Sequence, residues 1–134
     1  MKDIKDSIEN FAYTTETRKK FDEAVVSVLK AIDQKGLTVF QIYDLKERLA
    51  AKGFQHSSLK IIEFCAAKHA NNLLNKNKYI SLCMPCRIAI IEEDNKIKIG
   101  SMNPTVMGRF FPNVKKEDTE AIENDIKGII DNAK

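Results

Sequence analysis

Cys83-Met84-Pro85-Cys86, preceded by Cys65 and His69, is the stretch whose residue types and spacing could do chemistry, and the chain has no further cysteine. Thiols beside an imidazole serve metal binding, thiol redox exchange or sulfur handling. If a helix begins at Cys65 or Ala66, His69 lies one turn on and faces the same side. Cys65, His69, Cys83 and Cys86 then offer three sulfurs and one nitrogen, a tetrahedral set for zinc or another soft metal. The spacing is not that of a standard zinc finger, and a helical histidine beside an apolar stripe also reads as a boundary residue.

A redox reading asks more of the C-x-x-C pair. Such pairs gain reactivity by opening a helix, whose dipole lowers one thiol pKa. Here Pro85 and the β-branched residues after Cys86 put the pair at the start of a strand. On a regular strand, residues three apart face opposite sides, so the thiols converge only if the chain kinks at Met84-Pro85. Packing as small hydrophobes is the plainer alternative.

Glu63 and Arg87 are the remaining polar residues of interest. Glu63 sits in an apolar run and needs a partner if buried. Arg87 follows Cys86 directly and can either pair with Glu63 or favour the Cys86 thiolate. No G-x-S-x-G elbow, glycine-rich phosphate loop or H-E-x-x-H helix is present, and the chain has 2 histidines. Catalytic residues are therefore unassigned, and the reading leans away from an enzyme.

The elements that must position these residues follow from periodicity. Phe11 to Thr15 has strand composition. Phe21, Ala24, Val25, Val28, Leu29 and Ile32 form one apolar stripe on a helix from Arg18 to Lys35, closed at Gly36. Leu37 to Tyr43 reads as a strand, and Leu45 and Leu49 mark a short helix stopped at Gly53. Leu59 to Phe64 is a strand with Leu59, Ile61 and Glu63 on one face and Lys60, Ile62 and Phe64 on the other. Ala66, Ala70, Leu73 and Leu74 define the next helix. Tyr79 to Cys83, Cys86 to Glu92 and Lys96 to Met102 read as three strands, the last two joined through a tight turn at Asp94-Asn95. Asn103-Pro104 opens a short helix. The last helix, residues 116–132, buries Ile122, Ile126, Ile129 and Ile130.

The whole is α+β: a single, mainly antiparallel sheet with helices packed on one face. Residues 1–134 read as one domain, with residues 1–8 a polar, frayed lead-in. At 134 residues the chain can bury a core without disulfide staples. A net charge of +3, with lysines interleaved among acids, gives no basic stripe of the kind that nucleic acids require. Met1 to Asp6 is charged and leads into no apolar core, unlike a signal peptide, and no apolar run is long enough to span a bilayer. A cytoplasmic location is expected, with reduced thiols and neither nucleic acid nor membrane as partner.

Three blocks carry a resemblance. Lys60-Ile61-Ile62-Glu63-Phe64-Cys65-Ala66-Ala67-Lys68-His69-Ala70 resembles the strand–Glu–x–Cys–helix block of the family catalogued as domain of unknown function 302. Leu82-Cys83-Met84-Pro85-Cys86-Arg87-Ile88-Ala89-Ile90 resembles its leucine, Pro-Cys and strand block, and Ser101-Met102-Asn103-Pro104 its Met-Asn-Pro block. The earlier helix–Gly–strand–Asp pattern ending at Asp44 also fits. The resemblance spans about residues 11 to 110. It implies a TATA-binding-protein-like fold, often a homodimer, with no established activity, and nothing about DNA binding. Cys65 and Cys86 match the family's two cysteines. Cys83 and His69 stand where the pattern has apolar residues, and Ala66-Ala67 where it has Asn-Pro.

The expected function is a small binding module, a homodimer, whose pocket is lined by Cys65 and Cys86 with Glu63 and Arg87 close by. Its ligand would be a soft metal such as zinc, or a small sulfur-containing or anionic molecule; no cofactor is certain. One alternative is a sulfur-carrier or thiol-redox protein using Cys65 and Cys86. The other is a structural or interaction protein with inert, buried cysteines.

Overall fold

Five strands pair into one antiparallel sheet because alternating apolar residues along the chain need a common buried face. A computed structural model describes residues 10–134. The expected lead-in at residues 1–8, and the Met1 to Asp6 run, lie outside the described residues. In chain order the strands are β1 (Ala12–Thr17), β2 (Thr38–Asp44), β3 (Leu59–Cys65), β4 (Cys86–Glu93) and β5 (Lys96–Met102), arranged β1-β5-β4-β3-β2. The helices are α1 (Phe21–Gln34), α2 (Leu45–Ala50), α3 (Ala67–Lys76) and α4 (Lys116–Ala133). Two 3₁₀ helices, Lys78–Cys83 and Pro104–Arg109, complete the chain.

One sheet face is dry. Ile62 and Phe64 from β3, Ile88 and Ile90 from β4 and Ile99 from β5 are buried with the apolar stripes of α1 and α4. Those stripes are Ala24, Val25, Val28, Ala31 and Ile32 on α1, and Ile122, Ile126, Ile129 and Ile130 on α4. Their three- and four-residue spacing gives each helix one apolar side, and the two sides close the core. Gly36 leaves α1 at φ +74, a conformation that disfavours a Cβ. Asp94 and Asn95 turn the β4–β5 hairpin at φ 54 and 61, as their side chains allow.

The segment Tyr79 to Cys83, expected as a strand, is the 3₁₀ helix Lys78–Cys83 instead. The Asn77 side chain accepts the Tyr79 N–H at 2.9 Å and starts that turn. Ile80 is driven inward to meet Leu73, Met107 and Val114. Local capping and this satellite core override the strand-like composition. No described helix is long and apolar enough to cross a membrane.

Candidate functional site

Two hydrophobic clusters meet around the cysteines without fully merging. The main core contributes Phe64, Ala66 and Ile122, with Cys86 packed against it. The satellite core contributes Leu73 and Met107, with Cys83 and Met84 packed against it. Members of both line a pocket of about 340 Å³. Cys65, Cys83 and Cys86 all line it, as does His69. The four residues singled out in the sequence therefore share one cavity, although they come from the end of β3, from α3, from a 3₁₀ helix and from the start of β4.

Local structure explains each placement. Phe64 is the cross-strand partner of Cys86, so Cys65, the next residue on β3, ends its strand beside the first residue of β4. The β2–β3 register slips between Val39 and Gln41, leaving Phe40 as an extra residue whose ring contributes to the pocket rim. His69 sits on the first turns of α3, with Nε2 3.9 Å from Asp125 Oδ2 of α4. The Met84–Pro85 peptide between the two C-x-x-C cysteines is cis. Lys76 Nζ, at the end of α3, ties that helix to Asp118 Oδ2, at the start of α4, at 2.6 Å.

The four do not assemble the expected chelate. Among the described residues no group of three or more His, Cys, Asp or Glu side chains is placed to hold a metal ion. The tetrahedral zinc set of Cys65, His69, Cys83 and Cys86 is thus not formed: these side chains are spread around a cavity rather than aimed at one point. All three cysteines are free.

Glu63 and Arg87 belong to a different structure. Glu63, 9% exposed, accepts from Arg87 Nε at 3.0 Å and from the Tyr43 hydroxyl at 2.6 Å. Glu63 and Arg87 face each other across β3 and β4. The Arg48 guanidinium lies over the Tyr43 ring, 5.1 Å from its centroid. Glu63 lines neither of the cavities that flank the cysteines. Of the two, the buried carboxylate is a structural anchor, satisfied from both sides. Sequence inspection anticipated the Arg87 partner and missed Tyr43, for which the register of β2 was needed.

Electrostatics at Cys86 run against a reactive thiolate. Burial, and then the neighbouring Cys65, push its thiol up to about 11, outweighing the lowering effect of Arg87. Cys86 is a neutral thiol at physiological pH. Aside from the three thiols and His69, the pocket wall has no ionisable side chain; Phe64, Leu73, Leu74, Met84, Met107 and Ile122 supply most of it.

A second cavity, of about 320 Å³, was not foreseen from sequence. It lies against the same chain segment: Cys83, Pro85, Cys86, Pro104 and Met107 line both cavities. Phe11, Leu82, Arg87 and Met102 are found only in the second.

The sequence matches the family described as domain of unknown function DUF302 over residues 13–133. The fold is similar to that in the crystal structure of an uncharacterized conserved protein DUF302 from Bacillus stearothermophilus. That similarity extends over 92% of this chain and 98% of the other, with a TM-score of 0.85 and 25% sequence identity. No curated protein matches the sequence significantly.

Proposed function

This chain belongs to the DUF302 family, and we propose that it is a small binding module whose ligand sits in the thiol-lined pocket. One observation carries the reading: all three cysteines border a single apolar cavity of about 340 Å³, a volume that suits a small ligand. The absence of Lys and Arg among the lining residues favours a soft or apolar ligand over an anionic one. Cys65 and Cys86 are the contact thiols. Arg87 and Glu63 support the strand on which Cys86 stands.

The protonated state of Cys86 favours binding over a sulfur-carrier role, since sulfur transfer begins from a thiolate. In this reading the protein acts in the cytoplasm, where free thiols stay reduced. It is a homodimer, a state supported by exposed apolar side chains such as Phe110 (72%) and Leu82 (79%). Light scattering reporting a monomer at every concentration would remove the dimer.

The pocket is tested with N-phenyl-1-naphthylamine, a neutral fluorophore that brightens in apolar sites. Wild-type protein should bind it saturably. Ala70→Leu, which projects a larger side chain from α3 into the pocket, should weaken binding by about tenfold or more while leaving thermal unfolding near that of the wild type. Equal binding by both proteins overturns the reading.

A further inference from the structure

The thiol-lined pocket is graded from a dry floor to a polar rim. Phe64, Ala66, Leu73, Met107 and Ile122 line it and are themselves buried, so they form the floor. Phe40 and Ser81 line it and are exposed, and His69 is partly so; these residues mark where the cavity meets solvent. Among the described residues that line it, His69 and Ser81 alone have side chains with nitrogen or oxygen. The sulfurs of Cys65, Cys83, Cys86, Met84 and Met107 add soft, polarisable surface and at most weak hydrogen bonds.

We infer that the pocket takes a neutral amphiphile of the medium-chain aliphatic alcohol class, its alkyl tail on the floor and its hydroxyl at the rim against His69. The inference rests on the pocket being a ligand site, as proposed above, and names the class of ligand.

Three features of the wall select this class. The floor has no nitrogen- or oxygen-bearing side chain, so a polar atom placed there loses water and gains little in return. The buried end must therefore be hydrocarbon. The polar end then lies at the rim, where a partner is available. His69 Nε2 is 3.9 Å from Asp125 Oδ2, too long for a hydrogen bond, so the imidazole can exchange one with a hydroxyl.

Charge on that polar end is disfavoured in either sign. A carboxylate would give up its hydration at a rim that has no Lys or Arg and has the Asp125 carboxylate beside His69. An ammonium would find no Asp or Glu in the lining. A hydroxyl donates and accepts, and it leaves water at far lower cost than an ion.

Displacement of N-phenyl-1-naphthylamine from the wild type tests this, with thermal unfolding followed on each variant. 1-Decanol should displace the fluorophore. Across the series from 1-hexanol to 1-decanol, each added methylene should tighten binding by about fourfold. Decanoate and decylamine, both charged at pH 8, should bind about tenfold or more weakly than 1-decanol. His69→Phe keeps a ring at the rim and removes its nitrogens. It should weaken 1-decanol by about three- to tenfold while holding fluorophore affinity within about twofold. Decanoate or decylamine binding as tightly as 1-decanol, or a folded His69→Phe protein that holds 1-decanol as wild type does, overturns the inference. If wild type binds the fluorophore saturably and 1-decanol does not displace it, the alcohol assignment fails and the pocket reading stands. If Ala70→Leu binds the fluorophore as wild type does, the pocket reading fails and the inference with it.

Discussion

Arg87 Nε stands 3.0 Å from Glu63 Oε2, across the β3–β4 ladder and on the strand position next to Cys86. The cation that sequence placed beside a thiol is thereby committed to a buried carboxylate. Its field still reaches Cys86, but burial and Cys65 outweigh it. A residue adjacent in sequence to a cysteine points to the opposite side of a strand, so adjacency is a poor guide to thiol activation.

Cys86 should alkylate slowly through neutral pH, its rate rising only as the pH nears about 11. The same shift makes stability pH-dependent. Between its ordinary value of 9.0 and about 11, the folded state keeps a proton that the unfolded chain has lost. Unfolding free energy therefore falls as pH rises through that window, by at most about 2–3 kcal/mol. Iodoacetamide kinetics resolved by peptide mass mapping, with denaturant melts of wild type and Cys86→Ala from pH 8 to 11, check both. A Cys86 that alkylates like a free thiol at pH 8, or a slope unchanged in Cys86→Ala, would contradict them.

Replacing Glu63 tests the ion pair as a structural device. Glu63→Ala removes the acceptor for both Arg87 and Tyr43. Arg87 is half exposed and regains water, so the cost should be moderate, about 2 kcal/mol. Fluorophore binding should change little, because Glu63 lines neither cavity. Loss of binding in a folded Glu63→Ala protein would place the carboxylate in the site after all.

The three cysteines should separate by readout. Cys83→Ala acts through packing against the satellite core, at about 1 kcal/mol, with fluorophore binding largely kept. Cys86→Ala has a comparable packing cost because the side chain lies against the main core, but it should also weaken fluorophore binding. Cys65→Ala should do likewise. Thermal melts paired with fluorophore titration on the single variants rank them, and a dominant Cys83 would shift the site to the C-x-x-C pair.

Asp118 links α4 to α3 through Lys76 and caps its own helix by accepting the Lys115 N–H at 2.8 Å. The Lys76 hydrogen bond, and then the Lys115 N–H, hold its carboxyl below the ordinary 3.8. Its stabilisation is present above that value and is lost as pH falls through the lower, folded-state pKa. Asp118→Asn should therefore be less stable than wild type at pH 7, and the gap should close in acid. Acid-range melts showing a constant gap would rule this out.

Much of the fold was legible because it depends on periodicity. The stripes of α1 and α4 and the alternation along β3 and β4 fix which faces are buried, whatever their partners. Asp94-Asn95 and Gly36 announce turns through backbone conformations that few other residues tolerate. Tyr79 to Cys83 misled because its composition suits a strand, while the local Asn77 cap starts a 3₁₀ turn and the burial of Ile80 depends on Met107 and Val114, distant in the chain.

The candidate site divides in the same way. Sequence by itself determined that Cys65, His69, Cys83 and Cys86 are its chemistry-bearing residues, since their types are rare in this chain and their segments lie close together. Tertiary structure decided that they border one cavity without forming a four-ligand chelate. It also gave Glu63 a second donor in Tyr43, placed a second cavity behind the Cys83–Cys86 segment and set Met84 and Met107 into the walls. The physical reason is that periodicity encodes which side of its own element a residue occupies. The distance between residues on different elements, and with it the donor geometry and the thiol pKa, exists only once β3, α3, the 3₁₀ helix Lys78–Cys83 and β4 have packed together.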